Sequence, residues 1–280
     1  METITVAFQG EPGAYSELAA LEFFAPVSVQ TRPCETFDQA FQAVSEGTCT
    51  HGVLPIENSL AGSIHRNYDL MLQHDLYIVG EFPLRVQHCL LALPGTRIQD
   101  IQRIYSHPQA LAQCERYIRN RGWQTLPAYD TAGSARELAE SHEPGTASIA
   151  SALAGKTYGL EVLDAGIEDS PDNTTRFFLL GREEPPPARY NKTSIVFATL
   201  HTPGALYNVL GELASRGINL TKIESRPRRN RPWHYVFYVD LEGHWQDAAV
   251  HRALIGLLAR TAFVKLLGSY PAAVETSNGG

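Results

Sequence analysis

Five short stretches of this chain set hydroxyl, amide and glycine residues where an apolar run gives way to a helical one or a turn meets a strand. They are "QGEPGAYSE", "PIENSLAGS", "YSHPQALAQ", "YDTAGSARE" and "NTTRF". Taken singly, each has an ordinary structural reading. In the first, Gly10, Pro12 and Gly13 make a tight turn before Ser16, and the spacing is G-x-x-G, not the dinucleotide fingerprint or a P-loop. In the second, Glu57, Asn58, Ser59 and Ser63 surround a helix start, where capping accounts for one of them and not for the whole string. In the third, Ser106 is placed to cap a helix with Pro108 in its first turn, and His107 alone reads as a packed or solvated histidine. In the fourth, Asp130 or Thr131 caps and Gly133 permits close approach. In the fifth, Asp172 and Asn173 are turn residues, and Thr175 and Arg176 precede a run of Phe-Phe-Leu-Leu. Together these groups can hold a small anion on side-chain donors and helix N-terminal N–H groups, without metal or cofactor. They contain no obvious nucleophile–base pair.

The elements that must position these loops alternate. "ITVAFQG" reads as a strand, "SELAALEFF" as a helix, "FDQAFQAVSEG" as a helix stopping at Gly47, "HGVLPIE" as a strand and "SIHRNYDLMLQ" as a helix. "RIYSHPQALAQCERYIRNRG" runs from strand through turn to one helix ending at Gly122, and "TASIASALAGKTYG" repeats the plan. Such alternation predicts a largely parallel sheet with helices on its faces. Ligands of such sheets bind at the carboxyl ends of strands, and all five stretches are expected at that one end of the sheet. "DLYIVGEFPLRVQHCLLALPG" breaks the rhythm with two strand-like runs and no helix between them, which predicts a crossing between two α/β lobes. "LEVLDAGIED" is a second candidate crossing.

"REEPPPARYNK" is the clearest boundary, since three prolines favour an extended spacer. Residues 1–182 are thus expected to form one part, 183–192 a linker, 193–271 a second part and 272–280 a disordered tail. The second part reads β-α-β-β-α-β, the ferredoxin-like order. Its first helix repeats Leu206, Val209, Leu210 and Leu213 on one face and its second repeats Val250, Leu254, Leu257 and Leu258.

Composition narrows the function classes. A chain of 280 residues with 44% hydrophobic and 19% charged residues is that of a globular protein with ample core. The net charge of −7 argues against a nucleic-acid partner, and "RPRRNR" (Arg226 to Arg231) is too short to reverse it. No apolar run approaches a membrane span, and the first residues show no signal segment. Cys34, Cys49, Cys89 and Cys114 form no C-x-x-C pair and are expected to be buried thiols of a cytoplasmic protein. The ten histidines show no metal-ligand spacing, so no metal site is expected.

"PIENS" (55–59), "SHPQAL" (106–111) and "TTRF" (174–177), in that order, resemble bacterial prephenate dehydratase. "PGAL" (203–206) and "ESRP" (224–227) are similar to the phenylalanine-sensing motifs of its ACT regulatory domain. The resemblance covers residues 4 to 271, and it is the five motifs in order that make it specific. It implies a catalytic part of two α/β lobes, like a periplasmic binding protein, followed by the ferredoxin-like ACT domain. It implies conversion of prephenate to phenylpyruvate with loss of carbon dioxide and water, without cofactor. The family's essential threonine falls on Thr175, whose hydroxyl can assist the departing ring oxygen electrostatically. Arg176 either anchors a carboxylate or turns away into a salt bridge, since neighbours alternate across a strand. Phe177 packs to hold Thr175. Asn58, Ser59, Ser106, Gln113 and Asp130 are candidates for orienting the substrate, with Gln113 able to share a helix face with Ser106. The resemblance places the effector L-phenylalanine against Gly204, Ala205, Leu206, Glu224, Ser225, Arg226 and Pro227, between subunits of a homodimer or homotetramer. Tyr207 departs from the valine usual there and either reshapes that pocket or points elsewhere. The rival readings are an arogenate dehydratase and a non-catalytic two-lobed amino-acid sensor.

Overall fold

The computed structural model describes residues 3–227 and 235–273; the Arg228–Arg231 part of the basic cluster and the tail from residue 274 lie outside the described residues. The chain opens with β1 (Thr5–Gln9), α1 (Tyr15–Phe24), β2 (Gln30–Cys34), α2 (Phe37–Ser45) and β3 (His51–Asn58). α2 shows why local sequence suffices here. Thr36 and Gln39 form a reciprocal capping box, Ala40, Phe41, Ala43 and Val44 make the buried face, and Gly47 takes up a left-handed φ of 76° beyond its end. β1 pairs in parallel with both β2 and β3, as strand–helix alternation requires.

The short β4 (Gly62–Ser63), α3 (His65–Gln73), β5 (Tyr77–Arg85) and β6 (Cys89–Ala92) follow. Next come β7 (Arg103–Ser106), α4 (Pro108–Gln113), α5 (Glu115–Arg121), β8 (Gln124–Pro127), α6 (Thr131–Ser141), β9 (Thr146–Ala150), α7 (Ala152–Tyr158), β10 (Glu161–Ala165) and β11 (Thr174–Gly181). One sheet has the order β2-β1-β3-β11-β5 with β4 beside β3, and another the order β10-β6-β9-β7-β8. The segment without a helix, between β5 and β6, is therefore a crossing between sheets, and the return from β10 to β11 is the second. The second sheet is mixed: β7 runs parallel to β8 and β9, while β6 is antiparallel to β9 and β10. One helix was expected after "SHPQ"; the chain instead leaves helical geometry at the buried Cys114 (φ −116°, ψ 20°), giving α4 and α5.

By compactness the chain divides into Met1–Asn67 with Phe82–Phe177, and Tyr68–Glu81 with Phe178–Gly280. The first unit holds the chemistry-bearing loops. Its second lobe is packed around Leu90, Ile104, Ile118, Ala147 and Ile149. The second unit contains β12 (Asn191–Thr199), α8 (Ala205–Ala214), β13 (Leu220–Pro227), β14 (Tyr235–Glu242), α9 (Ala248–Arg260) and β15 (Thr261–Pro271). Its antiparallel sheet has the order β13-β14-β12-β15, the ferredoxin-like arrangement that was expected. Ile195, Phe197, Val209, Leu213, Val239, Leu241, Val250 and Leu257 form the core under both helices. Residues 68–81 join this unit through specific contacts. Tyr238 Oη donates to the Tyr68 carbonyl at 2.8 Å, Lys265 Nζ to the His74 carbonyl at 2.8 Å, and Lys192 pairs with the buried Glu81 at 2.8 Å. No local signal in the sequence marks that allegiance.

Candidate active site

Asn58 closes β3 and Thr175 is the second residue of β11, its neighbour in the sheet. The Asn58 carboxamide has only one possible orientation. Its Oδ1 accepts from the backbone N–H groups of Leu60 (3.1 Å) and Ala61 (3.0 Å), which can only donate. Its Nδ2 therefore donates to Thr175 Oγ1 at 3.0 Å and to Asn173 Oδ1 at 2.8 Å. Thr175 Oγ1 thus accepts, and its own proton has no acceptor among the described residues. That free O–H lines a cleft of about 180 Å³.

The same polarity continues into the other lobe. Asn173 Nδ2 donates to Gln113 Oε1 at 3.1 Å, and that oxygen also lies 2.8 Å from His88 Nε2. On the other side of the ring, His88 Nδ1 is 2.8 Å from Tyr15 Oη. Burial lowers the His88 pKa from its ordinary value, against the opposing pull of Gln113 and Glu168, and burial raises that of Tyr15. His88 is therefore neutral near pH 7, and all these groups find partners although Asn58, His88 and Asn173 are buried.

Tyr15 and Ser16, Gln109 and Ala110, and Thr131 bring the first turns of α1, α4 and α6 to the cleft. Ala14 caps α1 without a side-chain hydrogen bond, so first-turn N–H groups there can receive an anion. No Arg, Lys, Asp or Glu lines the cleft among the described residues. Anionic ligands must be held by amide, hydroxyl, imidazole and backbone donors, without the arginine that the sequence reading had included. Among those residues no group of His, Cys, Asp or Glu is placed to hold a metal ion.

Thr175, Phe177, Asn58 and Gln113 come together, and Phe177 packs at the base of the cleft. Other candidates do not join them. Arg176 points away from Thr175 and pairs with Glu57 at 3.0 Å. Ser59 clamps two loops, donating to the Asp172 carbonyl at 2.9 Å and accepting from Thr174 N–H at 3.0 Å. Ser106 does not cap α4. It is the last residue of an internal strand, wholly buried, and donates to the Ile149 carbonyl at 2.6 Å, while His107 accepts from Gln109 N–H as the cap. It therefore shares no helix face with Gln113. Asp130 caps α6 through Gly133 N–H and lines a neighbouring hollow of about 460 Å³ with Gln9, Glu11 and Thr36, not the cleft. Sequence reasoning missed Tyr15 and His88 as cleft residues, and the buried Asn173 as the link behind the cleft. Tyr15 stood unused in the first quoted loop, Asn173 was taken for turn chemistry, and His88 carries no local signal at all.

In the second unit, Gly204 takes a left-handed φ of 76° at the start of α8, leaving its N-terminus without a side-chain cap. Ala205 opens the helix, Leu206 packs on the core, and Tyr207 is 79% exposed. Glu224, Ser225, Arg226 and Pro227 end the edge strand β13. The Arg226 guanidinium grips Asp69 at 3.1 and 3.2 Å.

The family model described as prephenate dehydratase matches residues 6–185. The chain belongs to the prephenate dehydratase family. The ACT domain model matches residues 193–258, so this family member carries the ACT module after its lyase domain. Arogenate dehydratase 1 of Petunia hybrida is 48% identical over 96% of the chain and 67% of the relative. Arogenate dehydratase/prephenate dehydratase 6, chloroplastic, of Arabidopsis thaliana is 48% identical over 96% and 69%. Among solved structures, the prephenate dehydratase of Arthrobacter aurescens in complex with L-Phe has a TM-score of 0.88 at 34% identity, covering 96% of this chain and 90% of that one. GqqA, described as a quorum quenching acylase, has a TM-score of 0.90 at 40% identity, covering 96% and 98%. The expectation of a cytoplasmic protein is overturned by the Arabidopsis relatives, whose names place them in the chloroplast. It had rested on the unpaired cysteines and on what the first residues lack, and neither carries an address.

Proposed function

We propose that this prephenate dehydratase family member acts on prephenate itself, with Thr175 as the group that meets the departing oxygen. The observation that carries this reading is the direction of the Thr175 hydroxyl. Because Asn58 donates to it, its proton is free for the ring hydroxyl in the cleft. Departure of carbon dioxide sends an electron pair into the ring, the C–O bond breaks, and the leaving hydroxide takes a proton to become water. Aromatisation drives the step, so the protein's task is to hold the dianion in the reactive pose and stabilise negative charge on the leaving oxygen. Threonine is too weak an acid to supply the proton outright; a hydrogen bond from Thr175, with water as proton source, meets the need. The α1 N-terminus and the unspent Gln113 Nε2 are donors for the two carboxylates.

Arogenate carries an ammonium where prephenate has a keto group. It is the second reading because of the 48% identity to a protein named arogenate dehydratase. The absence of any carboxylate among the described lining residues favours the keto acid. Acyl transfer, as in the acylase's name, finds no activated nucleophile among the described cleft residues: Thr175 Oγ1 accepts from an amide, and His88 is engaged by Tyr15 and Gln113. For regulation, the L-Phe complex of the Arthrobacter relative and the uncapped N-terminus at Gly204 support feedback by phenylalanine; a homodimer or homotetramer is the assembly we propose for it. The test is phenylpyruvate formation from prephenate and phenylalanine formation from arogenate by the purified protein, each with and without phenylalanine. Faster turnover of arogenate would reverse the substrate assignment, and turnover of neither by folded protein would leave only the amino-acid sensor.

A further inference from the structure

The chain of amides behind Thr175 ends on a histidine that the lyase chemistry described above does not use. Its polarity is set from one end by groups that cannot reverse. Leu60 and Ala61 N–H fix Asn58, Asn58 fixes Asn173, and Asn173 fixes the Gln113 carboxamide with Oε1 facing inward. An oxygen already accepting from Asn173 can meet His88 Nε2, 2.8 Å away, only if that nitrogen carries the proton. Neutral His88 then has a bare Nδ1 lying 2.8 Å from Tyr15 Oη, whose single proton also faces the Gln87 carbonyl at 2.9 Å. The backbone around the ring is equally anchored: His88 N–H donates to Glu168 at 2.9 Å, and its carbonyl accepts from Gly166 and Ile167 N–H. His88 sits in the first crossing between the lobes. Asn173 sits in the second, where its carbonyl accepts from Val86 N–H at 2.8 Å.

The consequence lies at Gln113. Both acceptor directions of Oε1 are spent, on Asn173 and on His88, so the amide nitrogen is left without a partner among the described residues, in a side chain that lines the cleft. We propose that His88, held with its proton on Nε2, is a positioning residue that locks the Gln113 carboxamide so that its NH₂ group meets a substrate carboxylate. Without that N–H the carboxamide is free to turn, and the turned form presents an oxygen to an anion in a cleft with no Arg or Lys among its described lining residues to offset it. The inference rests on the lyase reading, and wild-type turnover tests that reading separately.

The experiment compares wild type, His88→Ala, His88→Gln and Tyr15→Phe for kcat and KM with prephenate across pH, with thermal unfolding as the check on folding. His88→Gln restores an N–H near the place of Nε2. His88→Ala is expected to lower kcat/KM by about tenfold to a hundredfold, mainly through KM, as expected for a lost hydrogen bond to a charged group. His88→Gln should recover to within about threefold of wild type with an unchanged pH profile, because a lone hydrogen bond is the quantity restored. Tyr15→Phe, which leaves Nε2 and Gln113 in place, should cost less than His88→Ala. If folded His88→Gln is as impaired as His88→Ala, or if it loses a limb of the pH profile, His88 moves a proton and positioning is overturned. Wild-type KM in His88→Ala overturns it as well. Should His88→Ala fail to fold, ¹⁵N NMR of the His88 ring in wild type decides: a proton on Nδ1 alone at neutral pH contradicts the assignment.

Discussion

β11 and β13 carry the same local grammar, a hydroxyl residue followed by an arginine, Thr175-Arg176 in one and Ser225-Arg226 in the other. In both, the arginine is 16% exposed and taken by a carboxylate of the same chain, Glu57 for Arg176 and Asp69 for Arg226. The difference is position in the sheet. β11 lies between β3 and β5, so its ladder is held on both sides and alternation buries Thr175 and Phe177 while turning Arg176 aside. β13 is an edge paired only with β14, and its side chains alternate between half-buried and exposed. A reacting hydroxyl needs the first setting, where the direction of one proton is fixed by neighbours. An effector site needs the second, where a strand edge and a helix N-terminus remain open.

The sharpest way to break this comparison is Thr175→Ala. Loss of a hydrogen bond that strengthens in the transition state should lower kcat by about 10²–10³, with little change in the unfolding midpoint. Thr175→Ser should retain most activity. Comparable activity in Thr175→Ala would remove the threonine from the chemistry.

Arg176→Ala comes next. It removes the 3.0 Å ion pair to the partly buried Glu57 carboxylate, and it should cost stability of about 1–2 kcal/mol, discounted for solvent access, read by denaturant unfolding. Adding Glu57→Gln should return most of it, and kcat should fall far less than in Thr175→Ala. A selective collapse of KM in Arg176→Ala would show that the guanidinium reaches the substrate after all. Arg226→Ala should act on the second unit in the same way, with a loss of about 1–2 kcal/mol.

The pH dependence of folding is a smaller effect. The folded-state pKa of His88 lies below its ordinary value of 6.5 because burial disfavours the imidazolium. Below 6.5 the unfolded chain therefore binds more protons than the folded one. The stabilisation is full above that value and is lost as pH falls through the depressed folded-state value. Unfolding curves at pH 7.5 and 5.5 should show a drop that is smaller in His88→Gln. An equal drop in both would assign it to other groups.

The smallest expected change in stability is at Tyr207. Being mostly exposed on α8, its replacement by valine should shift stability by less than about 0.5 kcal/mol. If this helix start receives phenylalanine, the same variant should alter the phenylalanine concentration that halves turnover.

Much of the fold was legible because it is written in neighbouring residues. The Thr36–Gln39 capping box, the helix stops at Gly47 and Gly122, and the periodic faces of α8 and α9 act over a few positions and do not depend on the rest of the molecule. The break at Cys114 was not legible, because tertiary burial decided it against a sequence that reads as one helix. The site divides in the same way. Its loops could be found from strand-to-helix boundaries, and the motif order pointed to the family and to Thr175. Ser106, Ser59 and Asp130 looked equally suited by residue type, yet a buried carbonyl, a loop clamp and a helix cap claim them.

By itself the sequence determined the two α/β lobes, the ferredoxin-like second part and the loops that can carry chemistry, because periodicity, capping and turn preferences are short-range. Only the tertiary structure decided which donors face the cleft. Asn58 meets Thr175 across 117 positions, Asn173 meets Gln113 across 60, and Tyr15 meets His88 across 73. Each of those bonds exists only once the chain has made its crossings between the sheets, and the direction of the Thr175 proton follows from two backbone N–H groups at Leu60 and Ala61. A hydrogen-bond network is a property of positions in space, and no local pattern along the chain encodes it.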